Sequence, residues 1–322
     1  MFQYQSTYRE KASGKAVKII FLTILAALFM VLSTSIIMGV FTLPTLGFYD
    51  SPWVILYILL GIFFFFLLSI FLLYPMSLGI IRFFTKAYNN EPFGFGELFY
   101  VFKEGRYGKA VKITIIVVVL YFIFSFVMGF IANMIYLLVN APLSAMGLFA
   151  ADGSLEETWV TLSAQIGLVV IVMILNLIVT VLIYIPYILV SLYIGLVYLT
   201  YTDQPMIPTM DKFKIAWDVM FKSGESILRL FFSNVLLSIG LFVLYFVIMI
   251  GSVFIGIMID SPGTMIALLI AGTIVFFITY IYTMYVIVGS VVAFYFTGRD
   301  KLDAQAGEIN TDEHYENELE QL

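Results

Sequence analysis

Residues 166–200 read IGLVVIVMILNLIVTVLIYIPYILVSLYIGLVYLT and contain no Asp, Glu, Lys, Arg or His. Coiled as a helix, this run would be about 52 Å long at 1.5 Å per residue, well beyond the ~30 Å hydrocarbon core of a bilayer. Globular strands are far shorter, and no regular polar face interrupts the apolar residues. The stretch is a membrane-spanning helix, long enough to tilt, kink or leave one end in the interface. Pro186 marks a place where a kink is expected, because proline lacks the N–H that continues the ladder.

Five more runs of this kind lie at about 19–43, 53–81, 113–139, 230–259 and 265–296. Each exceeds the roughly 20 apolar residues that a span requires. Pro75 is a second expected kink, in the second run. The fold class is therefore all-α: a polytopic membrane protein with six transmembrane helices in a membrane domain over residues 1–298. Composition agrees, since 62% of the chain is apolar and 11% charged, against about 45–50% and 25% in soluble domains. The first run is read as a span and not a signal peptide, because about 25 apolar residues exceed a signal core and no small-residue cleavage site follows.

Charge sorts the segments between spans. Arg9, Lys11, Lys15 and Lys18 precede the first span, and Arg82, Lys86, Lys103, Arg106, Lys109 and Lys112 separate the second from the third. Lys212, Lys214, Lys222 and Arg229 separate the fourth from the fifth; Arg299 and Lys301 follow the sixth. Those are all 16 basic residues of the chain. The charged residues of the alternate segments are all acidic: Asp50, Asp152, Glu156, Glu157 and Asp260. By the positive-inside rule, both termini are expected in the cytoplasm. Trp53 and Trp159 suit the outer interface, where indole rings anchor. Residues 299–322 form an acidic tail expected to be disordered and to repel anionic lipid and nucleic acid. His314 within it reads as a solvated side chain.

The second and fourth spans end alike. Each carries a proline and then a glycine (Pro75 and Gly79; Pro186 and Gly195), an aromatic exit, and a turn, Asn90-Glu91-Pro92 or Asp203-Gln204-Pro205. An amphipathic segment follows each, so a repeat of span, interfacial helix and span is expected. In the second segment Pro208-Thr209 gives a break and a cap. Met210, Phe213, Trp217, Met220 and Phe221 then share one helical face, with Asp211, Lys212, Lys214, Asp218 and Lys222 on the rest. Such a helix lies along a leaflet with its lysines near anionic headgroups. In the first segment Phe95, Leu98, Phe99 and Phe102 play the apolar part, and glycines at 94 and 96 shorten the helix.

The stretch Tyr74-Pro75-Met76-Ser77-Leu78-Gly79, then Phe83-Phe84, Glu97-Leu98-Phe99 and Phe102-Lys103-Glu104-Gly105-Arg106-Tyr107, resembles a bacterial membrane family catalogued as domain of unknown function 975. A second block resembles it over Tyr198 to Pro205, then Ala216, Met220, Phe221, Gly224 and Leu230-Phe231-Phe232. Trp217-Asp218-Val219-Met220 departs from the family's usual serine and double methionine. The resemblance implies a six-helix protein of the bacterial plasma membrane, and it brings no assigned activity or catalytic residues.

Chemistry inside the membrane needs groups this chain lacks. No span interior carries a carboxylate, lysine or histidine for a proton relay. Paired intramembrane aspartates, H-E-x-x-H and the phosphate loop G-x-x-x-x-G-K-[ST] are all missing. Without cysteine there is no disulfide, thiolate nucleophile or iron–sulfur ligand. No cofactor or metal is therefore expected, and no catalytic residue is named. The polar residues within or at the edges of spans are Asn133, Asn176, Asn234, Gln165, Ser33, Thr34 and Ser35. They are candidates either for interhelical hydrogen bonds or for lining a polar path. Small residues four apart, as in Ser252/Gly256 and Gly289/Ala293, read as close helix packing.

Two functions follow as expectations. One is a non-enzymatic component of the membrane or envelope, with the lipid bilayer and another membrane protein or a second copy as partners. The other is a transporter, or the membrane subunit of an ABC-type exporter, for an apolar or neutral solute or peptide.

Overall fold

The computed structural model describes residues 2–47, 53–103, 105–145, 166–259 and 261–319. Among them are nine α-helices and no strand. They are α1 (Gln3–Lys11), α2 (Ala16–Gly47), α3 (Trp53–Leu68), α4 (Tyr74–Tyr88), α5 (Tyr107–Ala145), α6 (Ile166–Asp203), α7 (Thr209–Phe221), α8 (Ile227–Met258) and α9 (Pro262–Leu319). A π turn, Ser69–Leu73, joins α3 to α4, and a 3-10 helix, Phe95–Phe102, follows α4. Six helical runs are long and apolar enough to cross a membrane: Ala16–Leu43, Trp53–Tyr88, Tyr107–Pro142, Ile166–Asp203, Ile227–Met258 and Pro262–Ala306. The chain is an all-α polytopic membrane protein. Asp50, Asp152, Glu156, Glu157, Trp159, Gln165 and Asp260 lie outside the described residues.

The chain forms two compact units. The first comprises Met1–Thr114 and Gly195–Leu322; the second is Ile115–Ile194. All sixteen basic residues belong to the first. Its core lies where the spans end in charged sequence: Tyr4, Tyr8, Phe83, Leu98, Tyr201, Phe294 and Tyr295 are all but inaccessible. Span interiors are the reverse. In the second unit Phe122, Phe126 and Phe130 are 72%, 73% and 64% exposed, an apolar stripe at helical spacing of the kind a span presents within a membrane.

The proline of the second span does what its chemistry requires. Pro75 cannot donate to the carbonyl of Phe71, four residues earlier, and the π turn stands at this point. The Tyr107 hydroxyl donates to that carbonyl at 2.9 Å. Pro186 lies inside α6, whose helical run continues across it.

The first amphipathic segment is a 3-10 helix, with three residues per turn. Leu98 and Val101 therefore face inward and Phe99 and Phe102 outward. It packs on α4 at Gly79, where an added Cβ would stand 2.4 Å from the Leu98 carbonyl oxygen. The expected repeat is not matched in packing, since α7 lies against α9, with Val219 and Ser223 at Gly298.

The sixth span differs from expectation at its end. Residues 299–306, expected within a disordered tail, continue α9 as helix. Arg299 pairs with Asp203, and Lys301 with Glu225 at 2.6 Å, which fixes this stretch to its neighbours. The side chain of His314 lies outside the described residues.

Candidate functional site

The most elaborate polar arrangement surrounds the C-terminus of α6. A helix end leaves carbonyl oxygens without partners and concentrates negative potential. Cations from three other elements bind carbonyls here, one in the last turn of α6 and three in the turn that follows it. Arg82 of α4 donates to the Thr202 carbonyl at 3.2 Å, Lys109 of α5 to that of Met206, and Lys212 of α7 to those of Pro205 and Ile207. Two guanidinium groups stand over the Tyr100 ring, Arg82 at 3.5 Å and Arg106 at 4.2 Å from its centre. The Tyr201 hydroxyl donates to the Arg106 carbonyl at 3.1 Å.

Lys212 is the main correction to the sequence reading. Expected on the polar face of an interfacial helix, it is fully buried. The turn between α6 and α7 folds back over it, and its carbonyls replace water around the ammonium. Burial, aided by the neighbouring Lys109, pushes this ammonium down to about 8.

The rest of α7 divides its expected apolar face. Phe213 and Met220 turn into the protein, whereas Met210, Trp217 and Phe221 remain exposed. The Trp217 and Phe221 rings lie 4.4 Å apart, and Lys222 pairs with Asp218 at 2.7 Å. Lys214 is exposed beside this stripe.

Glu97 binds the 3-10 helix to α4 by accepting from Arg82 at 2.6 Å and Lys86 at 2.9 Å. Burial alone would raise its carboxyl, but hydrogen bonds from Lys86 and Arg82 outweigh this and hold it below the usual carboxylate range. Asp203 accepts from the Tyr295 hydroxyl and from Arg299.

Sequence reasoning missed α1. Its composition is polar, yet Tyr4, Gln5 and Tyr8 are buried. Tyr4 donates to Glu225 at 2.6 Å, and Gln5 to Ser233 and Asn234 at 2.8 and 2.9 Å. Burial and the Glu225 partner raise the Tyr4 phenol, and burial raises that of Tyr8. Tyr8 fits against α9 because Gly289 has no Cβ; one placed there would lie 2.3 Å from the ring. The available signal was the pair of tyrosines four residues apart.

The candidate path residues are divided between the two units. Ser33 and Thr34 donate to the Phe29 and Met30 carbonyls of their own helix, and Ser35 is exposed. Asn234 accepts from Gln5 and Ser290 and joins α1, α8 and α9. In the second unit Asn176 and Asn140 exchange amide hydrogen bonds at 3.0 and 3.1 Å, with Tyr136 and Thr180 at 2.7 Å beside them. Asn133 is exposed, outside this pairing. Among the described residues, no group of three His, Asp or Glu is placed to hold a metal ion.

Fold and polar layer together define a multi-pass, all-α membrane protein whose packed core sits at the basic ends of its spans. No protein-family model matches the chain, and no curated protein or solved structure is significantly similar to it.

Proposed function

We propose that this is a non-enzymatic component of a bacterial plasma membrane, with both termini cytoplasmic, that supports the membrane or a complex within it. Its partners are inner-leaflet lipid and another membrane protein or a second copy, not nucleic acid. The resemblance to domain of unknown function 975 favours the bacterial setting. One observation carries the proposal: the first unit gathers ion pairs and buried hydrogen bonds at the basic ends of its spans, outside which Met210, Trp217 and Phe221 stand exposed beside Lys214. That stripe has the chemistry of a helix seated on anionic lipid. The amides in the second unit satisfy one another, which supports a packing role above a solute path.

The test compares cells lacking the protein, cells carrying it, and cells carrying Trp217→Ala with Phe221→Ala. Loss of the protein should increase dye entry and sensitivity to membrane-active peptides, and the double variant should restore resistance only in part. An unchanged envelope in the deletion strain, together with solute flux through reconstituted vesicles, would overturn the proposal in favour of a transporter.

A further inference from the structure

Within the first unit, α2, α4 and α9 enclose a groove of about 570 Å³, within the roughly 300–1,000 Å³ of small-molecule sites. Its wall includes Ile20 to Val31 of α2, Ser77 to Phe84 of α4 and Phe277 to Val288 of α9, and it is almost wholly apolar. Eleven residue steps on α2 or α9 give the groove a length of about 16 Å. That is close to one leaflet, half of a core of about 30 Å.

All three helices place the same end of the groove at the basic layer. Ile20 follows Lys15 and Lys18, Phe84 precedes Lys86, and Val288 leads toward Arg299. This end has a floor. Phe84 and Tyr285 pack against Tyr8 of α1, whose hydroxyl donates to the Phe84 carbonyl at 3.3 Å. Three residues in from Ile20, about 4.5 Å deeper, Thr23 forms part of the wall, with its hydroxyl oxygen buried away from the groove.

We infer that this groove holds one acyl chain of an anionic diacyl phospholipid from the leaflet on the basic side. The chain fills the apolar slot toward mid-membrane, and the headgroup rests beside Lys15 and Lys18 at the start of α2. The inference rests on the membrane-embedded character of the proposed function and names the lipid contact through which it operates. Small side chains at Ala27 and Ser77 leave the space open, and larger ones there would close it.

Native mass spectrometry tests this on the full chain released from nanodiscs of phosphatidylglycerol and phosphatidylethanolamine. The unaltered protein should retain one phosphatidylglycerol. Ala27→Phe with Ser77→Leu should reduce retention roughly tenfold or more, while Leu32→Phe, exposed outside the groove wall, should leave it unchanged. Lys15→Gln with Lys18→Gln leaves the groove open and guards against misfolding of the filled variant. Its preference for phosphatidylglycerol over phosphatidylethanolamine should fall about threefold to tenfold. Equal retention by the filled and unaltered proteins would overturn the inference. So would a retained free fatty acid or detergent without diacyl lipid, or a dimer that excludes lipid. Failure of the wider proposal would differ: an unaffected envelope in the deletion strain, whatever lipid the purified chain retains.

Discussion

Gly79→Ala should destabilise the protein, whereas Gly195→Ala should not, although each glycine follows the proline of its span. At Gly79 an ideal Cβ would lie 2.4 Å from the Leu98 carbonyl oxygen and 2.6 Å from Leu98 Cα. Ordinary contact requires about 3.5 Å, so α4 and the 3-10 helix must separate by about 1 Å. Backbone cannot yield as a flexible side chain does. The same shift would stretch Glu97 away from Arg82 and Lys86, now 2.6 and 2.9 Å distant. Overpacking of this kind costs about 1–3 kcal/mol, and the weakened hydrogen bonds about 1 more. Better helix propensity returns about 1 kcal/mol, leaving a net loss of about 1–3 kcal/mol. At Gly195 the nearest atom is Val291 Cγ1 at 4.0 Å, so only the propensity gain of up to about 1 kcal/mol applies. Unfolding by sodium dodecyl sulfate titration in mixed micelles measures both variants against the parent. Equal effects at the two sites, or a neutral Gly79→Ala, would refute the reasoning.

Tyr107→Phe should cost about 1 kcal/mol by leaving the Phe71 carbonyl without its hydroxyl donor; Pro75→Ala should remove most of that cost in a double-mutant cycle by the same titration. Asn140→Leu or Asn176→Leu alone should cost about 0.6 kcal/mol, and up to about 1.7, while the double variant should cost less than the sum. For Glu97 the sign follows from a carboxyl held below its ordinary value. Its stabilisation is present above the unfolded value of 4.5 and is lost as pH falls through the folded value. Glu97→Gln should therefore be less stable at pH 7 and show a flatter decline below pH 4.5, read from melting profiles across pH. The Lys212 ammonium, held near 8 against 10.5 when unfolded, gives a pH slope of the same sign in a higher window: stability should rise with pH between those values as the penalty of the buried charge is relieved, and Lys212→Met should remove that rise.

The spans and the sorting of basic residues were legible because each depends on composition over a long run of chain. Trp53–Tyr88 and Ile166–Asp203 declare themselves without knowledge of any neighbour. The polar layer was not legible in that way. Lys212 looked solvent-facing from its helical position, and only the return of the 203–208 turn buries it. Tyr4 and Tyr8 sit in a polar nine-residue helix whose apolar contacts all come from distant segments. Asn176 was visible as a buried amide in search of a partner, but Asn140 lay just past the expected end of its span and was not considered. The 3-10 form of Phe95–Phe102 was not legible either; its period of three is what sets Leu98 and Val101 together on the buried side.

The most direct test of the account uses the natural absence of cysteine. Single cysteines replacing Ser13, Lys103, Lys214 and Lys301, with others at Asp50 and Asp152, can be labelled with a membrane-impermeant maleimide in intact cells and in inverted vesicles. The first four should react only in inverted vesicles and the last two only in intact cells. If Lys103 and Lys214 label from opposite sides, the single basic layer on which the fold, the site and the lipid groove depend does not exist.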